Sequence, residues 1–267
     1  MNVLPLAQTA SDSTLPAKRR AEMLRIAQQI GQISVTDMSE RFDVSLDTIR
    51  RDLDIMSEQG LVSRIHGGAI PTETLAAADA PYDLRMNTQY AAKRRIALTA
   101  SRLIADGETL IINGGSTTVA FAACLGERSG LRIVTNNLSL PAVVPSPAVR
   151  NLYLLGGEIR NGARVSIGPV GFVGTGVIRA DTAVIGIGGI ASEGCSTSDL
   201  AEGTMMAEMI AAARRTIIVA DSSKFGRHAF AHVVSLDAIA VLVTDKPPPE
   251  DLAQALAAAE VDVVVAD

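Results

Sequence analysis

Tryptophan is missing from this chain and aromatics make up only 3% of it, so any core must be built from Ala, Val, Ile and Leu. Cysteine is scarce too. Cys124 and Cys195 stand far apart in no ligand spacing, which excludes a disulfide framework and a cysteine metal centre and fits the reduced cytoplasm. No apolar run approaches the length needed to span a bilayer. The first seventeen residues hold only a short, interrupted apolar patch with no basic stretch before it, so residues 1–17 read as a flexible tail rather than a signal segment. Overall basicity is also absent: a net charge of −5 gives no global attraction to nucleic acid or an anionic membrane. What the chain does have is 48% hydrophobic and 20% charged residues, a globular composition, and at 267 residues enough length for two domains.

The first domain is expected over residues 18–71. Ala21, Leu24, Ile26, Ala27 and Ile30 recur at helical spacing, and Gly31 ends that run. Ser34 can cap a second helix through Phe42, with Val35, Met38 and Phe42 inward. Asp43-Val44 makes a tight turn, and Ser45 caps a third helix that ends at Gly60. In that helix, at roughly 100° per residue, Ile49, Leu53 and Met56 share one side while Arg51 points away. Two short helices joined by so few residues form a helix-turn-helix pattern. Leu61–Ile65 then alternates, and Gly67-Gly68 turns the chain, as a wing would. Charge over residues 1–75 is not basic, so a DNA footprint must come from clusters: Lys18 to Arg20, Arg50 with Arg51, and Arg64. The bland reading of the helix arginines is as i,i+4 partners, Arg51 with Asp47 and Arg50 with Asp54.

The order Val44-Ser45-x-x-Thr48-Ile49-Arg50-Arg51-Asp52-Leu53, then Gly60-Leu61, Arg64 and His66-Gly67-Gly68-Ala69, resembles the DeoR family of bacterial transcriptional regulators. The resemblance implies a winged helix-turn-helix that meets double-stranded operator DNA through Ser45, Thr48, Arg50, Arg51, Arg64, His66 and Gly67. The chemistry is coherent, because a capped helix N-terminus suits a phosphate and an arginine fork suits guanine O6 and N7. The pattern does not divide those tasks between the two arginines.

Residues 72–105 read as a linker followed by one coupling helix from Tyr82 to Ala105, with Lys93, Arg94 and Arg95 on a solvated face. Over 106–267 the pattern changes to short, mostly continuous apolar runs at 110–112, 131–134, 152–155, 183–187, 216–220, 240–243 and 261–265. Such runs imply strands buried on both faces, hence a mainly parallel sheet flanked by helices, with a ligand beyond the carboxyl ends of the strands. The residues after the runs are small and polar: Asn113-Gly114-Gly115-Ser116-Thr117-Thr118, Asn136, Gly188-Gly189 and Ser222 with Lys224. Glycines permit close approach, hydroxyls donate and a helix N-terminus favours an anion, so a small phosphorylated ligand is expected.

This half also resembles the DeoR family's sensor domain, itself similar to ribose-5-phosphate isomerase. The expected fold is thus α/β, an N-terminal winged helix-turn-helix plus a mainly parallel-sheet sensor. The resemblance implies a phosphorylated sugar or polyol effector held by the residues just named, with Glu202 beside them, and neither metal nor cofactor. Two positions depart from the family: Asn113 where an aspartate is usual, and Met206 where a lysine is common. A sugar-phosphate isomerase with a DNA-binding appendage is the competing reading, and it needs a base. Asp181 lies at the start of a strand, Asp221 can serve as a cap, and Glu202 stands alone. The sensor is therefore preferred over an enzyme, as a repressor of a carbohydrate or polyol operon. A single reader buries little DNA-facing surface, so a homo-oligomer is expected, and the resemblance implies a homodimer or homotetramer.

Overall fold

The computed structural model describes residues 16–30, 33–59, 61–65, 67–71, 82–171 and 178–267. It divides into two compact units, Met1–Thr88 and Gln89–Asp267. Residues 1–15 of the expected tail and 72–81 of the expected linker fall outside the described residues, while Pro16 and Ala17, expected in the tail, begin the first helix.

In the first unit, helix α1 (Pro16–Ile30) is followed by the short strand β1 (Ile33–Ser34), α2 (Val35–Phe42) and α3 (Leu46–Glu58). Strands β2 (Val62–Ile65) and β3 (Gly68–Pro71) form a hairpin, and β3 also pairs with β1 to give the order β1-β3-β2. A side chain on Gly68 would stand 2.1 Å from the Ile33 carbonyl oxygen, so glycine is what lets these two strands meet. Met23, Ile26, Ala27, Val35, Met38, Phe42, Ile49, Leu53 and Met56 make the core. The buried stripe of α1 runs through Arg19, Met23, Ile26 and Ala27, not through the expected Ala21 and Leu24, which are exposed and half-buried. A charge can lie in that stripe because Asp52 of α3 meets it.

The expected coupling helix is two helices, Tyr82–Asn87 and Tyr90–Arg102, broken where Gln89 takes a left-handed conformation at φ 53°. Within the second, Lys93 is buried rather than on a solvated face.

The second unit is built on seven strands: β4 (Thr109–Ile112), β5 (Leu131–Thr135), β6 (Val149–Leu154), β9 (Ala180–Gly186), β12 (Ala213–Val219), β14 (Val241–Thr244) and β15 (Asp262–Val265). Their order is β15-β14-β12-β9-β4-β5-β6 and every pairing is parallel. Alternate residues serve two cores. Leu110, Ile112, Val184, Ile217 and Val219 pack with Ile96, Phe121 and Leu125 on one face. Ile111, Ala183, Ile185, Ile218 and Leu242 pack with Met205, Met206, Met209 and Leu256 on the other. Burial on both faces is what the continuous apolar runs led one to expect, and the inner strands show it. The edge strands β6 and β15 do not, with Tyr153, Leu154 and Val265 exposed. Met206, the second departure from the family pattern, is thus a core side chain.

Two small additions escaped the sequence. Strands β7 (Glu158–Arg160) and β8 (Val165–Ile167) form a hairpin, while β10 (Gly189–Ala191), β11 (Gly194–Thr197) and β13 (Ala231–Val234) make a three-stranded sheet.

Candidate functional site

In the first unit, the Ser45 Oγ accepts the Thr48 amide N–H at 3.2 Å and lies 2.9 Å from the Thr48 hydroxyl, which fixes the start of α3. The exposed side of that helix carries Asp47, Arg50, Arg51, Asp54 and Ile55. Its ion pairs differ from the i,i+4 expectation. Arg50 holds Asp47, three residues before it rather than four after, at 2.8 Å, and Asp54 is taken by Arg64 at 3.3 Å. The side chain of Arg51 makes no ion pair among the described residues. Exposed pairs of this kind hold weakly, so Arg50 is easily given up to another anion.

The Lys18–Arg20 cluster fares differently. Arg19 donates to Asp52 at 2.5 Å with both side chains about 5% exposed, and Arg20 reaches the other Asp52 oxygen at 3.2 Å. These arginines bind α1 to α3 rather than forming an open basic patch. In the wing, Gly67 is exposed at φ 76°, and its carbonyl accepts the Val35 amide at 2.7 Å. His66 lies outside the described residues.

In the second unit the strand order reverses between β4 and β9, because the chain runs β4, β5, β6 to one side and then β9, β12, β14, β15 to the other. That switch point is where open parallel sheets receive ligands. Asn113 sits there, 2% exposed, and joins the two strand ends. Its amide nitrogen donates to the Gly186 carbonyl at 2.8 Å, and its oxygen accepts the Gly186 N–H at 2.8 Å. An aspartate could not donate to that carbonyl, which accounts for this residue's identity. The helix Ser116–Ala123 follows, with Gly115 at its N-cap and no side-chain cap. Thr118 Oγ1 lies within hydrogen-bonding reach of the Asn113 and Gly115 carbonyls, at 2.9 and 3.0 Å, so that hydroxyl shapes the loop.

After β5, the Asn136 amide nitrogen donates to the Ser166 carbonyl at 2.9 Å and lies 3.5 Å from the Met205 sulfur. That donation fixes the amide's orientation, since a flipped oxygen would face the Ser166 oxygen. The Asn136 oxygen is then buried with no hydrogen-bond partner among the described residues. It lies 3.7 Å from where a Gly114 side chain would begin, and Val165 of the β7–β8 hairpin occupies the same space, its Cγ1 only 2.0 Å from that position. An uncapped helix N-terminus and an orphaned acceptor therefore meet over one glycine.

The remaining expected residues are distributed along the same edge. Gly188 and Gly189 admit the chain at Ser196 and Arg227, where a side chain on Gly189 would stand 2.3 Å from the Arg227 oxygen. Ser222 spends its amide and hydroxyl on Asp245, at 2.6 and 3.3 Å. Lys224 is half-buried in the turn after β12. Glu202 lies in the first turn of the helix Leu200–Ala211, which Asp199 caps at 2.9 Å. Its carboxylate meets Arg160 of β7 at 3.2 Å, and Asp199 meets the same Arg160 nitrogen at 2.9 Å. Arg160 was missed because its three-residue strand is too short to show a period. The other base candidates are occupied: Asp181 accepts the Thr109 N–H at 2.9 Å at the opposite, amino edge, and Asp221 accepts from Ser223. No group of three or more potential metal ligands is found among the described residues.

A small winged helix-turn-helix followed by a parallel-sheet unit with an anion-suited edge defines a one-chain transcriptional regulator. The DeoR-like helix-turn-helix domain model matches residues 19–74, and the DeoR C terminal sensor domain model matches residues 88–246. The glycerol-3-phosphate regulon repressor of Escherichia coli (strain K12) is 35% identical over 241 residues, covering 90% of this chain and 94% of that protein. The HTH-type transcriptional repressor GlcR of Bacillus subtilis (strain 168) is 29% identical over 250 residues, covering 94% and 96%. Among solved structures, ribose 5 phosphate isomerase A from Neisseria gonorrhoeae matches 52% of this chain and 54% of its own at 16% identity and a TM-score of 0.35. The chain belongs to the DeoR family of DNA-binding transcriptional regulators. No helix among the described residues is long and apolar enough to cross a membrane.

Proposed function

We propose that this protein is a cytoplasmic repressor of a carbohydrate or polyol catabolic operon, released from operator DNA by a phosphorylated sugar or polyol. The observation that carries the reading is the pairing of the uncapped Ser116–Ala123 N-terminus with the orphaned Asn136 oxygen. The first favours an anion and the second needs a hydroxyl donor, two groups that a sugar or polyol phosphate brings together. The names of the relatives, a glycerol-3-phosphate regulon repressor among them, agree with that class. The effector contacts are assigned to Asn113 through Thr118, Asn136, Gly188, Gly189, Glu202, Ser222 and Lys224, and the DNA contacts to Ser45, Thr48, Arg50, Arg51, Arg64, His66 and Gly67. The protein acts as a homodimer or homotetramer, each protomer reading one half-site, and effector binding favours one arrangement of the paired readers over another. It acts as a regulator and not as an isomerase.

The test uses the full chain and a DNA fragment that it selects from a random pool. Glycerol 3-phosphate, ribose 5-phosphate and other phosphorylated sugars and polyols are screened for thermal stabilisation, which a native-state ligand must produce. A stabilising compound should also release the DNA. Saturable isomerisation of any screened compound would overturn the reading in favour of an enzyme.

A further inference from the structure

The geometry points to Arg160 as the residue that grips the effector's phosphate, a role additional to the contacts assigned above and resting on that reading of the site. A guanidinium has five N–H donors. Both of its ion pairs, to Asp199 and Glu202, run through a single nitrogen, Nη1. Its Nε and Nη2 carry no hydrogen bond among the described residues. Three donors therefore remain, and the Nε–Nη2 edge is the fork that matches two oxygens of a phosphate.

The position suits the task. Arg160 pairs in register with Val165, and Val165 is the residue packed on Gly114 in the loop that opens the Ser116–Ala123 helix. The hairpin itself is anchored beside that loop, because Ser166 donates its amide to the Asn136 carbonyl at 2.9 Å. Asp199 and Glu202 hold the guanidinium from the side of a second helix N-terminus, whose dipole offsets part of their charge. The Arg160 side chain remains 38% exposed and so is open to a solute. A phosphomonoester gains from the fork and the corresponding neutral polyol does not. Arg160 thus selects the phosphorylated form of the effector over its unphosphorylated parent.

The full-length protein is titrated with glycerol 3-phosphate, ribose 5-phosphate, inorganic phosphate and, as a neutral control, glycerol, with thermal stabilisation as the readout. Arg160→Ala should weaken binding of the stabilising phosphate compound about 10- to 100-fold, as expected for losing charged hydrogen bonds. Arg160→Lys can still pair with Asp199 and Glu202, so it should restore the unliganded melting temperature but not the ligand affinity, because it lacks the fork. Wild-type ligand affinity in Arg160→Ala, or full recovery of affinity in Arg160→Lys, overturns the assignment while leaving the effector reading standing. If no phosphorylated compound stabilises the wild-type protein, the effector reading fails and this inference fails with it.

Discussion

Replacing Asp52 by Asn tests whether the reader unit depends on a buried charge pair. The substitution keeps the shape of the side chain but removes the carboxylate charge that faces the Arg19 guanidinium, which is about 5% exposed. Breaking a buried pair from one side costs about 3–5 kcal/mol, since the remaining charge stays out of water. A domain of some 60–100 residues shifts its melting temperature by about 4–8 °C for each kcal/mol, so a fall of at least about 12 °C is expected for this unit. Scanning calorimetry of the full chain, with limited proteolysis to assign the transition to residues before Thr88, measures it. Arg19→Met should cost less, because Arg20 still holds the other Asp52 oxygen at 3.2 Å. The double variant Arg19→Met with Asp52→Leu should recover most of the loss, as apolar replacements of buried pairs commonly do. If Asp52→Asn melts within a few degrees of wild type, or if Arg19→Met costs as much as Asp52→Asn, the argument from the buried charge is wrong.

The remaining predictions concern the exposed helix face, the switch-point loop and the buried thiol. Arg51→Ala should lower affinity for the selected DNA fragment by about 1–3 kcal/mol in a binding titration while leaving stabilisation by effector unchanged; loss of both would break the division into reader and sensor. Gly114→Ala should destabilise the sensor unit by about 1–3 kcal/mol through overpacking against Val165, and Val165→Ala in the same chain should relieve it, as read by urea unfolding. Asn113→Asp turns a donor into a carboxylate facing the Gly186 carbonyl, and should cost about 1–3 kcal/mol in the same assay. Burial pushes the Cys195 thiol from 9.0 up to about 12. Below about pH 9 it is protonated folded or unfolded, whereas above that only the unfolded chain gives up the proton. Stability should therefore fall by about 1.4 kcal/mol per pH unit between about 9 and 12, a slope that Cys195→Ala removes.

The seven sheet strands were legible because each holds a mostly continuous apolar run. In the inner strands burial on both faces leaves that signature, whereas the edge strand β6 carries it while largely exposed. The position of the loops was legible for a related reason: strand ends fixed which residues follow, and Asn113–Thr118 and Asn136 fall there. The β7–β8 hairpin was not, since three residues of each strand hold too little pattern to separate from a turn. Arg160 was hidden with it. The fate of Asn113 was also beyond the sequence, because its partner Gly186 lies on a strand that only the parallel pairing of β4 with β9 brings alongside.

Charge was the property that sequence resolved least, and the two units explain why. In the reader, neighbours in the sequence invite pairing of Arg51 with Asp47 and Arg50 with Asp54, yet the pairs formed are Arg50 with Asp47 and Arg64 with Asp54. Arg64 comes from the wing strand, so tertiary proximity took Asp54, and Arg50 turned to its i,i+3 neighbour Asp47. The outcome leaves Arg51, on the outward face of α3, with no ion pair among the described residues, and exposed charges of that kind keep most of their attraction for a phosphate or a base edge. In the sensor, by contrast, Arg160 is held by two carboxylates from another element and still has a fork to offer. A cation that is fixed but not saturated loses little freedom when a ligand arrives, and that pre-organisation lets a small anion bind well.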